Sequence, residues 1–407
     1  MKIALVLWEL DITGGTQRLA LELAKNMQAL GHSVDIYCYF YDKDIGYTDL
    51  YKNLQIKNVT KRKVQPTNTI TKKNIPGISS IIYFYKLYIK IIKNFFYSEE
   101  PIIELKNLMT KKHPIDYYDV INLHDYNVYK VARLIKHKNI VWTMNDIQRP
   151  PIESKSSAHK FLYNLLQKII SRIEVSNIKN IIVLDYRNKN LCKNYYNKES
   201  IVVRGAIDTE MFDSMYKKRF FDKKIFNIFL SSIFFPYRRF EDVIEAAAIL
   251  KNKSYNNFNI QINGIVNRNY EYYVSIKNLI AKKNLNDCIF ITTGLQEKEL
   301  LIAYLNADIF IFPNHNQTWG LAVFEAMLAG CVAIVSKTSG ASEILTNGEN
   351  AFLVNPKSPN QIADTLINIF NNPALSSKVS QNATVFVKEN LSWTKYAQEV
   401  LGVFEIK

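Results

Sequence analysis

The run NADIFIFPNHNQTWGLAVFEAMLAGCVAIVSKTSGASEIL, residues 306–345, constrains the fold more than any other part of the chain. It reads as strand, loop, helix, strand, loop. Residues 308–313 are a short apolar run of strand length, and 314–319 are polar and aromatic. Residues 321–328 are helix formers, and Gly330 stops that helix ahead of the β-branched run 332–335. A strand that feeds a helix and then another strand belongs to an α/β sheet.

The same stretch carries chemistry. The N–H groups of Gly320, Leu321 and Ala322 at the helix start have no intrahelical acceptor, and the helix dipole there favours an anion. Glu325 follows Leu321 by one turn on the same side, where its carboxylate can accept two hydrogen bonds from neighbouring sugar hydroxyls. Gln317 lies eight residues earlier, in the loop that feeds the helix. Two readings stand at this point. One is a site for a phosphorylated ligand with a hydroxyl-rich ring. The other is a carboxylate that only complements the dipole, worth about 0.3–1 kcal/mol.

With 407 residues the chain is long enough for two domains, and 48% apolar content is that of a globular protein. Cys38, Cys192, Cys288 and Cys331 are far apart and lack metal-ligand spacing, which fits a reducing cytosol. The first apolar run, 3–8, is shorter than a signal-peptide core, and no uninterrupted apolar stretch reaches the roughly 18 residues of a spanning helix. A net charge of +15, from 52 basic and 37 acidic residues, favours a polyanionic partner. Nucleotide diphosphates and an anionic membrane face are the candidates, since no nucleic-acid motif is found. AT-rich coding accounts for the Lys, Asn and Ile content equally well.

The first 39 residues read as a β-loop-α-β unit, with Gly14-Gly15 in the loop. A glycine pair ahead of a helix lets backbone N–H groups approach a ligand closely, and a plain tight turn accounts for it too. Residues 57–93 are rich in Lys and Arg and contain no acid. Inside them, 79–97 is helical in period, with Lys86, Lys90 and Lys93 on one stripe of an aromatic, apolar helix. That pattern suits an interfacial anchor, or a packed helix with its lysines in water. Residues 119–123 are an apolar strand ending in His124, and 140–143 lead to Asn145. Strands at 180–184 and 201–203 close the first half, and the boundary falls near 206–224. Strand 226–230 opens the second half. It leads to Arg238 and Arg239, adjacent guanidiniums ahead of a helix at 241–250 that can clamp a diphosphate or simply sit in a solvated loop. Strands 260–264 and 289–294 follow, with Gly264 at the end of the first and 296–300 the place for base contacts.

Trp319-Gly320-Leu321 and Phe324-Glu325-Ala326-Met327-Leu328-Ala329-Gly330 resemble the E-x7-E region of retaining glycosyltransferases of family four, which have the GT-B fold. Gln317 stands where that family has its first Glu, and Thr318 where it has Gly. Gly14-Gly15, the DVINLH segment ending in His124, the 202–212 link, Gly340 with Glu343, and 350–354 resemble further segments of the family. Aligned on the following helix, Arg238 takes the position of the family's diphosphate Lys and Ile233 that of its Arg. The resemblance spans most of the chain and is weakest over 57–113.

What the resemblance implies is a GT-B α/β protein: two Rossmann-like domains facing across a cleft, 1–205 and 206–391. A helix at 392–407 would cross back to the N-terminal domain. It implies retaining, metal-independent hexosyl transfer from a UDP- or GDP-sugar, with no cofactor. Gly14, Gly15, Arg238, Arg239, Gly264, Gly320, Leu321 and Glu325 would bind the donor, and His124 and Gln317 would handle the transferred sugar. The acceptor would be a glycan, through 79–97 a lipid-linked one at the cytoplasmic membrane face, in surface polysaccharide or glycoprotein glycan synthesis. The altered positions Ile233 and Gln317 also fit a second class, a catalytically weak nucleotide-sugar-binding partner subunit.

Overall fold

The computed structural model describes residues 1–12, 14–61, 100–125, 128–145, 157–209, 212, 219–266, 269–316 and 319–406. Residues 79–97, the expected interfacial helix, and Gln317 lie outside these. The chain divides into two compact units, Met1–Val203 with Tyr396–Lys407, and Arg204–Lys395.

The first unit holds strands β1 (Lys2–Glu9), β2 (Ser33–Phe40), β3 (Gln55–Thr60), β4 (Val120–His124), β5 (Ile140–Met144), β6 (Asn180–Val183) and β7 (Ile201–Val202). They form one sheet in the order β3-β2-β1-β4-β5-β6-β7, every pairing parallel. Parallel strands need crossovers and end up covered on both faces, so their sequences run continuously apolar. Residues 3–7 of β1 follow that rule and are all buried. Helices α1 (Gly15–Ala29), α2 (Glu100–Lys112), α3 (Ser157–Glu174) and α4 (Tyr186–Tyr196) lie between the strands. The last helix of the chain, Trp393–Glu405, joins this unit from Tyr396 onward. It is pinned there by Asn139 Nδ2 donating to the Phe404 carbonyl at 2.9 Å and Asn180 Nδ2 to that of Val403 at 3.3 Å.

The second unit repeats the plan. β8 (Phe226–Ile233), β9 (Phe258–Ile265), β10 (Ile289–Thr293), β11 (Ile309–Phe312), β12 (Val332–Ser336) and β13 (Phe352–Val354) pair in parallel in the order β10-β9-β8-β11-β12-β13. α5 (Phe240–Asn252), α6 (Tyr270–Lys282), α7 (Glu297–Asn306), α8 (Leu321–Leu328), α9 (Pro359–Asn371) and α10 (Pro373–Asn390) flank it. Asp308, just before β11, is fully buried and paired with Lys223 and Arg219, and it accepts the Asn227 N–H at 2.9 Å. A buried carboxylate is tolerated only with such partners. Arg219 also donates to the carbonyls of Tyr304, Leu305 and Ala329, so residue 219 ties the start of the unit to two helix ends.

Each sheet has one place where the order reverses: between β1 and β4 in the first unit and between β8 and β11 in the second. Open α/β sheets bind ligands at the carboxyl ends of the strands at such points. Among the described residues no helix is long and apolar enough to cross a membrane.

Candidate functional site

In the second unit both loops at the switch point carry residues singled out from the sequence. The loop after β8 makes one tight turn at Pro236–Arg238 and enters α5 through Arg239, whose φ of 56° is left-handed. The loop after β11 holds Asn314 and enters α8 through Gly320, at φ 79° and ψ 64°, a conformation that favours glycine. The two loops are joined. His315 N donates to the Tyr237 carbonyl at 2.8 Å. The buried Asn314 amide, oriented to satisfy both groups, donates to the Arg238 carbonyl at 3.1 Å and accepts from its Nη1 at 2.8 Å. The Arg238 guanidinium also lies 4.8 Å from the Tyr237 ring centre, which further fixes its direction.

The two adjacent guanidiniums expected to clamp a diphosphate differ in their partners. Arg239 is held by its own helix: Nε and Nη2 grip Asp242 at 3.1 and 2.6 Å, and Nη1 pairs with Glu241 at 2.6 Å. A forked contact to a buried carboxylate holds the Arg239 guanidinium against its own helix. Gly264, expected at the donor, is tightly packed. A Cβ there would lie 2.5 Å from the Ser232 carbonyl oxygen and 2.6 Å from the Phe234 ring, so strand packing explains the glycine without a ligand. Ile233, where the family has Arg, is the last residue of β8 and pairs with Ile265. Gln296, expected near the base, is the cap of α7, its N–H accepted by Glu299 at 2.9 Å in a capping box.

Glu325 is the fifth residue of α8, outside the first turn where a dipole contribution is concentrated. Its Oε2 accepts a 3.0 Å hydrogen bond from the Tyr304 phenol on α7. Tyr304 is buried, and burial first, then the Glu325 charge, push its phenol well above its ordinary pKa, so it remains a donor. Behind it, Asn263 Nδ2 donates to Ser231 Oγ at 3.3 Å. Sequence reading missed Tyr304, because a tyrosine in an apolar helix 21 residues upstream carries no periodic signal. Trp319, ahead of Gly320, is buried against Phe324, and the Arg204 guanidinium lies 5.4 Å from its ring. Arg204 in turn pairs with Glu343 at 2.6 Å.

In the first unit, Gly14 is extended (φ −164°, ψ 159°) and Gly15 begins α1. Neither glycine occupies the left-handed region that a tight turn would demand. What the pair does provide is a helix start with no side-chain cap over its N–H groups. His124 ends β4 opposite Thr143 of β5, on the face turned away from the core residues Leu123, Trp142 and Met144. It is fully buried, and neither ring nitrogen has a hydrogen-bond partner. Burial holds its pKa down at about 3, so the imidazole is neutral at physiological pH. Asn145, two residues beyond Thr143, likewise has both amide atoms buried and without a partner. Asn122 donates to the Thr143 hydroxyl at 2.9 Å on the same face. Buried polar atoms without partners, gathered at strand ends, are suited to hydroxyl groups of a ligand.

Among the described residues no group of three His, Cys, Asp or Glu is placed to hold a metal ion. All four cysteines are buried free thiols.

Residues 210–386 match the Glycosyl transferases group 1 family. An uncharacterized glycosyltransferase of Methanocaldococcus jannaschii is 33% identical over 129 residues, 31% of this chain and 32% of its own length. The chain spans less than two thirds of the length of the curated relatives it matches. Among solved structures, sucrose-phosphate synthase from Thermosynechococcus elongatus is 16% identical with a TM-score of 0.70, covering 99% of this chain and 98% of the other. A protein from Anabaena solved in complex with UDP-glucose is 13% identical with a TM-score of 0.69, covering 99% of each. The fold is therefore GT-B, with a glycosyl transferases group 1 domain in the second unit.

Proposed function

We propose that the chain is a glycosyltransferase that moves a sugar from a nucleotide-diphosphate donor to a glycan acceptor, with retention at the anomeric carbon, in the manner of family four. The supporting observation is the switch point of the second unit. There Arg238 is oriented by Asn314, α8 presents its N–H groups behind Gly320, and Glu325 is held by Tyr304, within the domain that matches the family.

Each group has a task in that chemistry. Departure of a nucleoside diphosphate leaves negative charge on the β-phosphate, and Arg238 with the N–H groups of Leu321 and Ala322 offsets it without reorganising. Glu325 accepts the ribose hydroxyls, and the Tyr304 hydrogen bond to one carboxylate oxygen fixes the direction of the other. Neutral His124 exchanges hydrogen bonds with a hydroxyl of the transferred sugar. Gln317 binds another hydroxyl and, as an amide, carries no charge. The N–H groups at Gly14-Gly15 meet the diphosphate or acceptor closely. UDP- or GDP-hexose is the donor, no metal takes part, and the acceptor is lipid-linked at an anionic cytoplasmic membrane face. The product belongs to a surface polysaccharide or glycoprotein glycan.

The test is incubation with a panel of nucleotide sugars, with and without lipid-linked acceptor. Expected is acceptor-dependent release of one nucleoside diphosphate and a product that keeps the donor's anomeric configuration by NMR. Tight donor binding with no release under any condition would instead identify the partner-subunit reading.

A further inference from the structure

Helix α3 (Ser157–Glu174) shows a surface that the donor chemistry does not use. Its inner side is anchored: Glu174 is buried and accepts from the Tyr129 phenol at 2.7 Å, and Ser171 is buried beside it. Its outer side is apolar. Phe161 is 70% exposed, and Leu165, Ile169 and Ile173 are 44–46% exposed. Single exposed apolar residues need no explanation, but four in succession on one helix do. The basic residues Lys168 and Arg172 edge this stripe, and the helix's sole acid, Glu174, faces inward.

The spacing says what kind of surface would cover it. Each step of four residues turns about 40° around a helix, so the stripe fans across about 120°. A seam against one partner helix requires alternating steps of three and four, which keep the contact line narrow. A fanned apolar face edged by cations and free of exposed acid matches a helix lying in a lipid interface, with its basic side chains at anionic headgroups. The net charge of +15 adds long-range attraction to the same surface.

We propose that the α3 face carrying Phe161, Leu165, Ile169 and Ile173, with Lys168 and Arg172, is a docking surface for an anionic lipid membrane. This deepens the membrane part of the function proposed above and gives it a site among the described residues.

Co-sedimentation of the full chain with vesicles tests it, using phosphatidylcholine alone or with 30% phosphatidylglycerol, and neither donor nor acceptor present. Expected is pelleting with the anionic vesicles that weakens as salt rises. The double variant Phe161→Ser/Ile169→Ser should bind at least about tenfold more weakly. Lys168→Gln/Arg172→Gln should lose the preference for phosphatidylglycerol by a similar factor. Phe161, Ile169 and Arg172 are exposed and Lys168 is half-buried, and a circular dichroism melt confirms that the variants fold. Failure of the wild type to pellet, or pelleting that both variants retain, would overturn the proposal. So would a concentration-dependent dimer in sedimentation velocity that the serine variant abolishes, since the face would then belong to a second copy. Donor affinity by calorimetry is measured on the same samples, so loss of vesicle binding and loss of the donor reading are separable.

Discussion

At the residue scale, Glu325 and Tyr304 act as one unit. Glu325→Ala removes a charged acceptor, and donor affinity by calorimetry should fall about 10–100-fold with the fold intact. Tyr304→Phe deletes the phenol's hydrogen bond to that carboxylate while leaving the charge in place, and should weaken donor binding roughly tenfold or less. The two predictions share a signature that general damage would not produce. Both variants should lose affinity for the ribonucleotide sugar while binding its 2′,3′-dideoxy analogue like wild type. Equal losses for both ligands would remove the pair from the ribose. His124 makes a pH prediction. It is neutral when folded, with a pKa of about 3, whereas an unfolded histidine protonates near about 6.5. Below about 6.5 the unfolded state therefore takes up a proton that the folded state refuses, and stability falls with pH until about 3. The contribution of this one group reaches at most about 1.4 kcal/mol per pH unit. In His124→Asn, urea midpoints measured from pH 7 to 4 should show a shallower decline. An unchanged decline would mean that the imidazole is not held neutral.

At the element scale, the two arginines after β8 separate by role. Arg238→Ala should lower donor affinity about 10–100-fold and cost less stability than Arg239→Ala, since it unpairs the neutral Asn314 amide and not a buried carboxylate. Arg239→Ala should leave donor affinity near wild type and destabilise the unit, because Asp242 stays buried without its cation. The opposite pattern would reverse the assignment. Gly264→Ala should cost about 1–3 kcal/mol in urea unfolding, since its Cβ would press on the Ser232 carbonyl and the Phe234 ring. Elements were legible in the sequence where apolar runs met clear stops. The strand expected at 308–313 is β11, and the helix expected at 321–328 is α8 to the residue. Strand ends were less so. β8 runs on to Ile233 because it pairs with β9 over eight residues, and pairing leaves no mark in a single strand's sequence. Adjacency in sequence likewise does not show that Asp242, one helical turn on, holds Arg239.

At the scale of the whole molecule, the α/β class followed from the alternation of strand and helix signals and the two-domain plan from the family resemblance, whereas the strand order with its one reversal in each sheet was not legible. The returning C-terminal helix came from the family resemblance, and its anchors, Asn139 and Asn180, were invisible in the sequence. So was the exposed stripe of α3, since a helical period of apolar residues does not say which face stays uncovered. The central claim, a nucleotide-sugar site at the β8/β11 switch point of the second unit, concerns the full chain and is tested on it. Isothermal titration calorimetry with UDP- and GDP-sugars should give one donor that binds the wild type at a single site and loses at least about tenfold in affinity in both Arg238→Ala and Glu325→Ala. Wild-type affinity in both variants would place the donor elsewhere and contradict the assignment.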